Sequence, residues 1–129
     1  MGPNHRTVLS TMGNFADACA KTGQGNVALR SYREILDRYQ ATLSREEEGT
    51  ERNGTEAFLL FKMSRVLRMQ NDHEGELSKL EMALQAIRSS DDRYMTDEDR
   101  EEIGRLAVLI SADIHRVNAE LRKDNLDWL

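Results

Sequence analysis

Apolar positions recur along this chain at helical spacing, and they do so twice in the same order. Leu9, Met12, Phe15, Ala16 and Cys19 share one face of a helix over residues 7–22. Gly23-Gln24-Gly25 then permits a tight reversal. Ala28, Tyr32, Ile35, Leu36 and Tyr39 face inward on a partner helix over 26–44. Slid by 48 residues, the pattern returns: Phe15, Ala16 and Cys19 fall on Met63, Ser64 and Leu67, Gly23 on Asn71, and Tyr32, Ile35 and Leu36 on Leu80, Ala83 and Leu84. A second hairpin is therefore expected over 55–89, with Thr55 as N-cap, Leu60, Met63, Ser64 and Leu67 inward, a turn at Asn71-Asp72, and Leu77, Leu80, Ala83, Leu84 and Ile87 inward on its second helix. Only Ala28/Glu76 sets a small apolar residue against a charge. That mismatch predicts a splayed second hairpin or a glutamate that snorkels outward.

Thr96 caps a last helix over 97–122, and Asp97, Glu98 and Asp99 suit its positive end. Ile103, Leu106, Ala107, Ile110, Ile114, Val117 and Leu121 form its buried stripe. Leu106-Ala107 matches Met63-Ser64 at a shift of 43, but Ile114 stands where the other units turn, so this helix runs on as a cap. Glu46–Thr55 and Ser89–Met95 are charged linkers, and Asn53-Gly54-Thr55, which matches a glycosylation acceptor, reads as a turn. The pattern predicts an all-α fold: an α-solenoid of two helical hairpins plus a long capping helix, in a single domain over 1–129. Solenoids hold ligands on a concave surface, so the repeat points to binding rather than chemistry.

Composition narrows this further. One proline, sparse glycine and 32% charged residues fit a helical, globular chain. No apolar run approaches ~18 residues, so no membrane span is expected. There is no basic start followed by an apolar stretch, and the single cysteine fits a reducing, cytoplasmic setting. The net charge of −5 argues against nucleic acid as partner.

Ala16 and Ala28, small where two helices approach, with Tyr32 as the aromatic between them, resemble the tetratricopeptide repeat. Gly2-Pro3-Asn4-His5, the long linkers and Asn14-Phe15-Ala16 are similar to the extended repeats of kinesin light chains. The resemblance covers roughly residues 2–112 and implies a fragment of a longer array that binds protein. Cargo transport is not implied by the repeat alone.

In that architecture the first helix of each unit lines the concave face. The face opposite the core carries Phe58, Lys62, Arg65 and Met69 in the second unit, Ser10, Asn14, Asp17 and Lys21 in the first, and Glu101, Arg105, Val108 and Ala112 in the third. The candidate peptide-binding residues are accordingly Asn14, Lys21, Phe58, Lys62, Arg65, Met69 and Arg105, an apolar pair among cations, with an acidic peptide as ligand. The bland alternative is a solvated face on a purely structural fragment that has no ligand of its own. The run apolar nearly all round at Leu106–Ile110 predicts further repeats or self-association through the terminal helices. Leu126-Asp127-Trp128 is similar to the leucine–acidic–tryptophan peptides that kinesin light chains recognise, which makes the tail a candidate ligand of the groove against a bland frayed end.

Nothing suggests catalysis, a metal or a cofactor. His5, His73 and His115 are scattered and read as surface histidines, and Cys19 reads as core packing. The acids at 91, 92, 97, 99, 101 and 102 lack the glycine and spacing of a calcium loop. There is no nucleophile–base pair and no phosphate loop, so a helical-bundle enzyme is the weakest alternative.

Overall fold

Gly23 and Asn71 both adopt left-handed backbone, with φ of 81° and 60°, and each closes a helix in the same way. The amide of Gln24 donates to the carbonyl of Cys19 at 2.8 Å, and that of Asp72 to Leu67 at 3.0 Å. The next helix then opens with Ala28 donating to Gln24 at 3.0 Å and Glu76 to Asp72 at 2.9 Å. Both pairs of bonds are related by the 48-residue shift, so the sequence repeat is also a repeat of turn geometry.

The computed structural model describes residues 3–45, 52–89 and 96–126. Among them are five α-helices and no strand: α1 (Pro3–Lys21), α2 (Gly25–Arg45), α3 (Arg52–Met69), α4 (His73–Arg88) and α5 (Asp97–Leu126). Gly2, most of both expected linkers and residues 127–129 lie outside the described residues. The helices form two compact units, 1–47 and 48–129.

Three expected boundaries move. α1 begins at Pro3 rather than residue 7, because a proline has no amide to lose in a first turn and its φ suits the helix. α3 begins at Arg52, so Asn53-Gly54-Thr55 is helix and Thr55 is not its cap. α5 continues past Arg122 to Leu126. Its start is as expected: Asp99 donates its amide to Thr96 Oγ1 at 3.1 Å, and the Thr96 amide donates back to Asp99 Oδ2 at 3.3 Å, a reciprocal cap.

In the first unit α1 packs on α2 through Ala16, Cys19, Ala28, Tyr32 and Ile35, all buried. The Tyr32 hydroxyl donates to Asp17 across the hairpin. Phe15, expected in this core, is instead 55% exposed. It sits about 100° round α1 from Ala16, at the edge of the face that meets α2. Ala28 is fully buried, so Ala28→Leu should destabilise the unit by about 1–3 kcal/mol through overpacking, read as a lower urea midpoint with an unchanged slope.

In the second unit α4 packs against both α3 and α5. The shift again maps core to core: Ser64, Leu67, Glu76, Leu80 and Ala83 are buried at the positions of Ala16, Cys19, Ala28, Tyr32 and Ile35. Ser64 satisfies its hydroxyl by donating to the Phe61 carbonyl at 2.6 Å. Ala57, Leu59, Phe61, Met63 and Val66 are buried as well, so α3 hides most of its circumference, as an interior helix does.

Glu76 overturns both expectations made for it. The hairpin is not splayed and the side chain does not reach outward: it is 0% exposed. Arg116 of α5 donates to Glu76 Oε2 at 2.5 Å. Arg116 also lies 4.0 Å from Asp113, which lies 3.9 Å from Arg65 on α3. A chain of charges thus ties all three helices of the unit together. The carboxylate stays inside because a third helix brings a guanidinium to it, and a buried charge is tolerated when so paired.

Candidate functional site

α3 and α5 advance in the same direction. Near their starts, a Cβ added to Gly54 would stand 3.4 Å from Ile103 Cδ1; further along, Arg65 faces Asp113 at 3.9 Å. Between the N-terminal halves of these helices lies an open groove of ≈ 800 Å3. Phe58, Leu59 and Phe61 line it from α3, and Ile103, Leu106 and Leu109 from α5. Phe58 and Leu109 are about half exposed, at 50% and 48%. An apolar floor of this kind is unusual on a solvated face.

Charge surrounds the groove unevenly. Lys62 Nζ lies 5.0 Å from the centroid of the Phe58 ring, and the Arg65 guanidinium lies 4.8 Å from that of Phe61. Each cation therefore lies over an aromatic face, a modest attraction. Asp99, Glu102 and Arg105 line the α5 side. Arg105 already faces Glu101 at 3.8 Å, an exposed pair of little energy.

The expected binding residues separate. Phe58 and Arg105 both line the groove, and Lys62 lies over Phe58. Arg65 is further along α3, opposite Asp113. Met69 is exposed at the far end of α3 and is not on the lining. Asn14 and Lys21 are exposed on α1, in the other unit, and Asp17 of the same stripe accepts from Tyr32. Of the stripe read on α5, Arg105 lines the groove, joined by Glu102, Ile103, Leu106 and Leu109, whereas Val108 and Ala112 do not. In a run apolar on every side, periodicity has no means of choosing between neighbours.

Asp127 and Trp128, on which the reading of the tail as the groove's ligand rests, lie outside the described residues. α5 continues through Lys123, Asp124 and Asn125, where that reading needs a reversal.

Among the described residues the histidines and the cysteine stand apart from the groove. His115 is exposed, His73 is half-buried with Nδ1 lacking a hydrogen-bond partner, and Cys19 is a buried free thiol. Among the described residues no three His, Cys, Asp or Glu side chains cluster as metal ligands, and no helix is long and apolar enough to cross a membrane. The Tyr32 hydroxyl is pushed above the usual tyrosine range, first by burial and then by its hydrogen bond to Asp17. Comparison with protein-family models, curated proteins and solved structures returns no match to this chain.

Proposed function

We propose that the chain is a non-catalytic interaction module and that the α3–α5 groove binds a short peptide. The observation that carries this reading is the half-exposed Phe58 and Leu109 on the apolar floor of an open ≈ 800 Å3 groove. A groove of that size takes a few apolar side chains of an extended or helical segment. The 48-residue repeat and its shared turns support reading the hairpins as units of a tetratricopeptide-like α-solenoid, in which the first helices of successive units face the ligand.

The charges around the groove argue for a different ligand from the acidic peptide that the Lys62/Arg65 stripe suggests. Arg65 faces Asp113 and Arg105 faces Glu101, so these cations have carboxylates beside them already. Asp99 and Glu102 add negative charge to the lining. The ligand that fits is an apolar segment with a lysine or arginine placed at the α5 edge.

Peptide display against the full chain tests this. Selected peptides should share an apolar anchor beside a basic residue. Leu109→Glu should weaken the best of them at least about tenfold, the cost of a charge facing an apolar anchor, with the helical signal unchanged because the site is exposed. An absence of enrichment, or binding indifferent to Leu109→Glu, would remove the groove from the proposal.

A further inference from the structure

Opposite the buried Leu106, Ile110 and Val117, α5 carries a second surface that the groove does not use. Glu101, Gly104, Val108, Ala112, His115, Ala119 and Arg122 recur at intervals of three or four and are all exposed, so they form one stripe along the helix. Val108 is 69% exposed, the highest value among the exposed large hydrophobic residues. Around the position a Gly104 Cβ would take, nothing lies within 4 Å.

The stripe is complementary to itself read backwards. It is acidic at its start with Glu101, small or apolar through its middle except at His115, and basic at its end with Arg122. About a two-fold axis between Ser111 and Ala112, Glu101 meets Arg122, Gly104 meets Ala119, Val108 meets His115, and Ala112 lies within one residue of its own copy. We infer that a second copy of this chain docks here, α5 antiparallel on α5, in an isologous dimer. The antiparallel arrangement sets opposite charges together at both ends, whereas a parallel one sets Glu101 on Glu101 and Arg122 on Arg122, which repels. The small residues let the two backbones approach. Glu101 pairs with Arg105 at 3.8 Å and Arg122 donates to the Asn118 carbonyl at 3.4 Å, both exposed contacts of a kind that exchanges readily. One helix face of about 30 Å is a small interface, so the dimer forms weakly, in the micromolar range.

Sedimentation of the full chain across micromolar concentrations should show a monomer–dimer equilibrium, and Val108→Arg should leave a monomer with the same helical signal. Under mild oxidation Ala112→Cys should give a disulfide-linked dimer, because the axis brings its Cα atoms within about 7 Å. Gly104→Cys alone should not cross-link, but Gly104→Cys combined with Ala119→Cys should. A strict monomer at all concentrations, a dimer indifferent to Val108→Arg, or cross-linking by Gly104→Cys alone would each overturn the inference. Leu109→Glu lies outside this stripe, so peptide binding and dimer formation succeed or fail separately.

Discussion

Replacing Arg116 by methionine should destabilise the 48–129 unit by about 3–5 kcal/mol, the largest loss expected from any side chain that reaches the surface. Arg116 is 32% exposed, yet its partner Glu76 is not exposed at all. Removing the guanidinium leaves a carboxylate inside the unit with neither water nor countercharge, and its Oε1 already lacks a hydrogen-bond partner. Glu76→Ala is milder, because Arg116 keeps its access to water and lies near Asp113. The double variant, Glu76→Ala with Arg116→Met, should be more stable than Arg116→Met alone, since it no longer buries an unpaired charge. Urea unfolding of the four proteins gives the coupling directly. Strictly additive losses would mean that the two residues do not act as a pair.

Tyr32→Ala should cost the first unit about 3–5 kcal/mol, as for other large buried aromatics. The ring is 2% exposed and joins α2 to α1. Tyr32→Phe keeps the ring and removes the bond to Asp17, for a loss of about 0.5–1.5 kcal/mol. The hydroxyl also has a pH signature. Folding raises its pKa above the ordinary value of 10.0, through burial first and the Asp17 bond second. The folded chain therefore holds this proton more tightly than the unfolded chain does. The stabilisation is complete below about pH 10 and is lost as pH rises toward the higher folded value. Alkaline unfolding should accordingly be steeper for the parent chain than for Tyr32→Phe. Identical alkaline curves would mean that Tyr32 is not buried against Asp17.

Local patterns were legible wherever one face of one helix decided the outcome. The small residues Ala16, Ala28 and Ser64, the turns at Gly23 and Asn71 and the cap at Thr96 follow from spacing, backbone preference and hydrogen-bonding groups close in sequence. Each appears in the structure where its pattern places it. The unlike pair Ala28/Glu76 was also visible as an irregularity, but its resolution was not. Glu76 and Arg116 are 40 residues apart, and no local rule joins them. The same limit applied to the candidate site. Phe58 was legible as an apolar residue off the core face, whereas Leu109, Ile103 and Glu102 join it only because α5 lies alongside α3 with Gly54 against Ile103.

By itself the sequence determined that the chain is helical, where its hairpins turn, and that the same turn is used twice, because these depend on residues within a turn or two of each other. The tertiary structure decided that a glutamate belongs in the core, that Phe15 does not, and which side of α5 faces the groove. Those outcomes depend on what lies across from a side chain: whether another helix brings a countercharge to Glu76, whether any helix covers Phe15, and whether the neighbour of Leu109 is α3 or water.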